Sequence, residues 1–429
     1  MTQLDRIRRM ETVLTELTAA LRDSLCTPET YHSLLPLADE LAAYYEGPLW
    51  RRDFEDDCAG RLPADLKRGV LSEDAAYNVL SDFDELRRKY GHCAPAKPAR
   101  RKPSALPPIY FAPLEGVTDT IFRRVHHAHF TGVTKYYIPF VSPTKNMFFT
   151  ARELYAISPE GNAGIPVVPQ IMAKDAELFL WCAGELKAMG YTEVNLNIGC
   201  PSGTVTAKGK GSGMLRTPDV LAAFLDEIFE KSPLPISVKT RIGFESDAEW
   251  PRLLSILASY PIHELTVHPR TRTQFYTGVP YKNRFDETFD RISCPIVYNG
   301  NLFTLEDCEE IAADCPDTAA IMLGRGLIGN PALAQQMTGG EGLTLDSLKR
   351  FHDDLLDAYL ERGPENFALV RMTAIMKHLL SGFADNDKPR KLFRKATTVS
   401  AYREAAALLF ECHELTENPH FLPDPSAIH

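Results

Sequence analysis

The sequence lacks any apolar run long enough to cross a bilayer, and its first residues, Met1-Thr2-Gln3-Leu4-Asp5-Arg6, carry no apolar signal core. We therefore expect a cytoplasmic protein without a membrane partner. A disulfide framework is also missing: the nine cysteines are odd in number and irregularly spaced, and Cys308 and Cys315 lack the paired CxxC of a zinc site. Reduced thiols and no metal are the expectation. There is no surplus of positive charge either. At a net charge of −10 the whole surface does not suit a polyanion, so any contact with phosphate has to come from local basic patches. What remains is 44% hydrophobic and 24% charged residues over 429 positions, a globular composition with room for two or three domains.

Residues 1–93 read as an all-helical domain. Ile7, Met10, Leu14, Leu17 and Leu21 recur at spacings of three and four, one apolar stripe on a helix. Thr27-Pro28-Glu29 reads as an N-cap followed by proline at the first helical position, opening a second helix through Leu34, Leu41 and Tyr45 that Pro36 weakens locally. Ser72 reads as the cap of a third helix with Val79, Leu80, Phe83 and Leu86. The acid-rich stretch between them, around Asp53, Asp56 and Asp57, is expected to be a solvated face. The pattern resembles a small helical bacterial domain family of unestablished role.

Residues 94–108 combine prolines with Lys97, Arg100, Arg101 and Lys102 and read as an extended basic tether. From residue 109 to 340 short strand-like runs alternate with helical ones. Candidate strands at 109–112, 135–138, 167–171, 193–197, 236–240, 264–268, 296–298 and 319–323 make eight strand–helix units, which predicts a (β/α)8 TIM barrel, an α/β fold of ~250 residues. A doubly wound sheet is the alternative, but Pro113-Leu114-Glu115-Gly116 after the first strand is not a glycine-rich dinucleotide loop. Residues 341–429 turn helical again, with Leu345, Leu348, Phe351, Leu355, Leu356 and Tyr359 periodic. There Lys388, Arg390, Lys391, Arg394 and Lys395 fall within eight residues, the strongest phosphate-binding patch in the chain.

Function in such a barrel sits where strands end. The stretch Val194-Asn195-Leu196-Asn197-Ile198 alternates as a strand, Gly199-Cys200-Pro201 breaks it, and a flexible, cationic loop with Lys208 and Lys210 follows. A thiol is thereby presented at a strand terminus beside positive charge. The other predicted strand ends carry Pro113-Leu114-Glu115, Gln170, Lys239 with Arg241, His268 with Arg270, Asn299-Gly300-Asn301 and Gly324-Arg325-Gly326. Gly324 to Gly329 also fit GxGxxG, but not in the opening βαβ unit that a Rossmann site requires; after the last barrel strand they match a cofactor-phosphate pocket instead.

Taken in this order, Ala112-Pro113-Leu114-Glu115-Gly116-Val117-Thr118-Asp119, Asn197-Ile198-Gly199-Cys200-Pro201, Val238-Lys239-Thr240-Arg241, His268-Pro269-Arg270-Thr271, Asn299-Gly300-Asn301 and Gly324-Arg325-Gly326 resemble the tRNA-dihydrouridine synthases over roughly residues 109–420. The resemblance implies an FMN enzyme that reduces the C5=C6 bond of a tRNA uridine, with NADPH as electron donor, acting as a monomer. It implies that Pro113, Leu114, Glu115, Gln170, Lys239, His268, Asn299, Gly300, Asn301, Gly324 and Arg325 hold FMN and that Cys200 is the proton donor. Asn197, Lys208, Lys210, Arg270, Arg272, Lys388, Arg390, Lys391, Arg394 and Lys395 would engage the RNA. Leu114 stands where methionine is common, Asn301 where an acid is common, and Pro269 where a small residue is usual.

The chemistry can be argued without the family. Saturating a uracil ring takes a hydride at C6 and a proton at C5. A thiol of ordinary pKa ~8.5 is mostly protonated at neutral pH and can give that proton. Lys239 is expected beside the flavin, where a cation favours the reduced anion, and His268 orients flavin or substrate. Two rivals follow from the same residues: a lyase forming a Schiff base on Lys239, and an RNA-binding protein without catalysis.

Overall fold

The structure, a computed structural model, describes residues 2–22, 28–45, 47–63, 65–90 and 106–422. The chain divides into two units, Met1–Arg101 and Lys102–His429. Most of the proposed tether, and the cap at Thr27, lie outside the described residues.

The first unit is built from helices Gln3–Arg22, Pro28–Tyr45, Pro48–Cys58 and Glu73–Tyr90. The predicted stripe holds: Ile7, Met10, Leu14 and Leu17 are buried against Tyr31, Leu41, Trp50, Val70 and Phe83. The helix Pro28–Tyr45 runs through Pro36 unbroken. The acid-rich stretch forms a helix of its own on which Glu55 is exposed and Asp56 and Asp57 are half-buried, as a solvated face would be, but Asp53 departs from expectation and lies wholly out of solvent. Arg6 donates to both Asp53 carboxylate oxygens at 2.9 and 2.7 Å, Gln3 Nε2 adds a bond of 2.9 Å and Tyr44 one of 2.8 Å. Burial by itself raises the Asp53 pKa; the bonds from Arg6, Gln3 and Tyr44 outweigh it and leave the carboxyl below its ordinary range.

In the second unit eight parallel strands close on themselves in sequence order: β1 (Ile109–Phe111), β2 (Val133–Val141), β3 (Val167–Ile171), β4 (Val194–Ile198), β5 (Ile236–Gly243), β6 (Leu265–Thr271), β7 (Ile296–Tyr298) and β8 (Ala320–Leu323), with β8 pairing back onto β1. All eight expected strands are present. The alternation of each strand sends one set of side chains outward to the surrounding helices and the other into the barrel. The interior set is apolar on one side, where Tyr110, Ala112, Tyr137, Val168, Val297, Ala320 and Met322 pack together. On β3 to β6 it is polar: Gln170, Asn195, Asn197, Ser237, Lys239, Thr266 and His268. Polar side chains thus concentrate on the β3 to β6 wall, and at the base Lys135 on β2 and the hydroxyls of Tyr110 and Tyr137 join Glu264.

Helices Leu345–Arg362, Glu365–Leu379, Asp387–Lys395 and Val399–Cys412 follow the barrel and share its core. Phe351 meets Phe122 and Phe130 at ring separations of 5.9 and 5.4 Å. At the same seam Tyr359 donates to Asp119 (2.9 Å), which also caps the helix Thr120–His129, and Arg371 donates to the carbonyl of Gly116. The loop after β1 is thus tied to the C-terminal helices.

Candidate active site

At the carboxyl ends of the strands lies a cavity of ≈260 Å3, lined by Ala112, Pro113 and Leu114, Lys239, His268, Asn299 to Phe303 and Gly324 to Gly326. Nine of the expected cofactor residues therefore meet there: Pro113, Leu114, Lys239, His268, Asn299, Gly300, Asn301, Gly324 and Arg325. Glu115 and Gln170 do not line it. Glu115 is exposed and pairs with Arg152 beside a larger cleft; Gln170 is buried inside the barrel with its amide turned to Asn195 and Asn197.

The cavity wall carries Lys239 and Arg325 and, among its described lining residues, no carboxylate. Arg270, expected on the RNA side, is instead fully buried behind it. Its guanidinium is held by the carbonyls of Thr277 and Gly278 and by Asn301 Oδ1 at 3.0 Å. Arg325 donates to that same oxygen at 2.9 Å. Two guanidinium groups converge on a neutral amide, so their charge stays uncancelled. Burial, then mutual repulsion, pushes Arg270 down to about 10, and burial lowers Arg325. His268 is pushed well below its usual value by burial and by Arg241, Lys239, Arg270 and Arg325, so it is neutral at pH 7. Such a wall suits an anion. Gly326 is required sterically, because a Cβ there would collide with the carbonyl of Leu302.

Cys200 does not itself line the cavity but lies close enough to Lys239 in its wall for the two charges to interact. Asn197 on β4 pairs in register with Lys239 on β5, and the thiol follows three residues later. Asn197 Oδ1 accepts the backbone N–H groups of Gly199 and Cys200, both at 3.0 Å. The Cys200 carbonyl accepts from Ser212 N (3.1 Å) and Oγ (2.8 Å), and Arg241 Nε binds the carbonyl of Gly199 at 3.0 Å. Gly211, at φ +57°, packs so close that a Cβ would lie 3.0 Å from that of Cys200. Burial raises the thiol pKa; a backbone bond at Ser202, Lys239 and Arg241 offset this only in part. The group is therefore a thiol at neutral pH. Lys239 is driven the other way, down to about 7, by burial and then by Arg241, with Cys200 opposing.

The stretch after Cys200, expected as a flexible loop, forms two short helical turns, Gly203–Thr206 and Gly211–Arg216, the latter with Gly211 to Leu215 buried. Lys208 is exposed; Lys210 reaches across to Ser142 Oγ at 2.7 Å. Arg272 lies over Phe275 and Phe244, at 4.8 and 5.3 Å from their ring centres. In the helix Asp387–Lys395, Lys388, Lys391, Arg394 and Lys395 are exposed, Arg390 is held by Asn386, and Pro389 and Phe393 face the core. Two contributors carry no signal in the sequence. Tyr276 lines the cavity with Arg325 at 4.7 Å from its ring centre, and His378 enters from the C-terminal helix Glu365–Leu379. Arg241, visible in the sequence only as a strand-end cation, clamps the Cys200 turn.

The family model described as dihydrouridine synthase (Dus) matches residues 110–415. The chain belongs to the dihydrouridine synthase family. A second model, a domain of unknown function (DUF4298), matches residues 7–92. Relatives include tRNA-dihydrouridine synthase B of Pasteurella multocida, 24% identical over 298 residues, covering 67% of this chain and 87% of the relative. A probable tRNA-dihydrouridine synthase of Staphylococcus aureus (strain Mu50) is 31% identical over 293 residues, covering 62% and 84%. Among solved structures, morphinone reductase superposes with a TM-score of 0.39 at 12% identity, covering 55% of this chain and 86% of that one. Among the described residues of this dihydrouridine synthase family member, no helix is long and apolar enough to cross a membrane.

Proposed function

We propose that this chain reduces the C5=C6 bond of a uridine in tRNA, with FMN as resident cofactor and NADPH as electron donor. The observation that carries the proposal is a protonated thiol fixed beside a cationic, carboxylate-free cavity at the mouth of a dihydrouridine synthase barrel. The residues fit the cofactor: Arg270 and Arg325 offer uncancelled charge for its phosphate, and Asn299, Asn301 and Lys239 offer polar contacts to the rest. Held by these residues, FMN in its reduced form would supply the hydride for C6.

Cys200 gives its proton to C5 and is left as a thiolate, which the neighbouring charges of Lys239 and Arg241 tolerate until solvent reprotonates it. Lys239, titrating near neutrality, is itself able to relay that proton. The ≈1030 Å3 cleft between the barrel and the C-terminal helices, lined by Arg152, Arg362 and Arg371 together with Glu115, Asp119 and Glu153, offers room for the RNA chain around an extruded base. Lys208, Lys210, Arg272 and the helix Asp387–Lys395 would hold its phosphates.

One observation favours a second reading. An amine titrating near 7 suits a Schiff-base nucleophile, so borohydride trapping of a carbonyl substrate on Lys239 would displace the reductase proposal. The reductase predicts a yellow protein that NADPH bleaches and substrate tRNA reoxidises. Cys200→Ala should retain FMN yet lose at least about 100-fold in turnover, the ordinary contribution of a general acid. Mapping dihydrouridine in tRNA from cells lacking the protein then identifies the position; unchanged tRNA in those cells refutes the assignment.

A further inference from the structure

A continuous chain of side-chain hydrogen bonds runs through the polar wall of the barrel, from its base to Cys200. At the base, Ser237 Oγ lies 2.6 Å from Glu193 Oε1. A carboxylate only accepts, so the serine hydroxyl donates to it, and the oxygen's lone pairs are left for Asn195 Nδ2 at 3.0 Å. Asn195 Oδ1 must then face Gln170 Nε2 (2.7 Å), which turns Gln170 Oε1 toward Asn197 Nδ2 (2.7 Å). That leaves Asn197 Oδ1 as the acceptor for the N–H groups of Gly199 and Cys200. Backbone N–H groups only donate, so the top of the chain demands the same polarity as the bottom. An amide is free to flip when nothing fixes it; here both ends fix every one.

We propose that Asn195, oriented by Ser237 and Glu193, is a positioning residue for the reduction: through Gln170 and Asn197 it sets the backbone of Cys200 and so the aim of the thiol. The proposal rests on the reductase reading. Asn195 and Ser237 are fully buried inside the barrel and line neither the cavity nor the surface, so the route from them to Cys200 is the hydrogen-bonded chain. Without the Ser237 hydroxyl, Asn195 Nδ2 would lose its acceptor at the base, and only the backbone N–H groups at the top would still hold the amides in this sense. The Cys200 turn would lose the lower half of its anchor.

The test uses the full-length, flavin-loaded protein. Asn195→Leu removes the link at nearly constant shape, Ser237→Ala removes only the hydroxyl that orients Asn195, and Ser237→Thr keeps that hydroxyl as a conservative control. For Asn195→Leu we expect kcat for tRNA reduction to fall by about tenfold, the reach of one lost buried hydrogen bond. KM for tRNA and the flavin-to-protein ratio should stay at the wild-type level. Iodoacetamide labelling of Cys200, followed by mass spectrometry of its peptide, should accelerate several-fold, on the order of the same loss. Ser237→Ala should move both quantities in the same direction and Ser237→Thr neither. Should Asn195→Leu fail to fold, Ser237→Ala alone decides. Wild-type kcat and wild-type labelling in both variants overturn the proposal, as does a kcat loss matched by loss of flavin. If the wild-type protein makes no dihydrouridine while the labelling still responds, the reductase reading falls and the mechanical link to Cys200 stands.

Discussion

Lys239 shows how a single side chain combines two demands. It must be enclosed to meet a cofactor, and enclosure together with Arg241 brings it down to about 7. A bound anion favours the ammonium form, so binding takes up a proton above that value. FMN should accordingly bind the stripped protein tightest below pH 7 and lose up to about tenfold in affinity per pH unit above it, until the pKa of the bound state is reached. Flavin fluorescence titrations across pH 6 to ~9 check this, and Lys239→Met should flatten the profile while weakening binding at the acid end. Cys200 is the converse case. Its raised pKa keeps the proton on sulfur at neutral pH, so alkylation of Cys200 should be slow at pH 7 and speed up only on the alkaline side of an ordinary thiol.

At the scale of elements, the helix Asp387–Lys395 divides its labour cleanly. Pro389 and Phe393 anchor it, Phe393 lying 5.0 Å from the ring of Tyr402, while four cations face solvent. Replacing Lys388, Lys391, Arg394 and Lys395 by glutamine should weaken tRNA binding and flatten its dependence on log salt by roughly three, about 0.7 for each phosphate no longer neutralised. Filter binding at several salt concentrations measures it, with the fold preserved because the core-facing pair is untouched. This helix is legible in the sequence because its charges are contiguous. The barrel strands are legible too, since buried parallel strands are short apolar runs; the structure differs in the extensions of β2, β5 and β6, where Thr134, Arg241 and Arg270 break the apolar pattern. Those residues of β5 and β6 are polar because strand ends carry the site. The helix Pro48–Cys58 is hidden for the opposite reason. Its acids look like a solvated surface, and only Arg6, Gln3 and Tyr44, the first two distant in sequence, reveal Asp53 as an internal group. Gln170 stands out at its strand end, but both its partners lie on the neighbouring strand β4, and no local pattern reports which way an amide turns.

For the whole molecule, the division into two units lets the stability of each be followed by itself. Asp53→Ala strands Arg6 without its partner and should cost the first unit ~3–5 kcal/mol. Hydrogen exchange should show lost protection in Gln3–Arg22 and Glu73–Tyr90 with the barrel unaffected. The Asp53 pKa is depressed in the fold, so its contribution is present above the unfolded value of ~3.9 and disappears as pH falls through the folded one. That unit should therefore be the more acid-sensitive wherever this carboxylate dominates.

The phenyl ring of Phe421 sits six residues beyond the stretch that the family model recognises, yet it stacks on His378 at 5.0 Å, meets Phe303 at 5.5 Å and lies 5.2 Å from the guanidinium of Arg325. Three members of the proposed flavin cradle thus lean on a residue that a tidy expression boundary would delete. A gene trimmed after position 415 should yield a pale protein, and restoring the missing tail through Leu422 should bring the colour back.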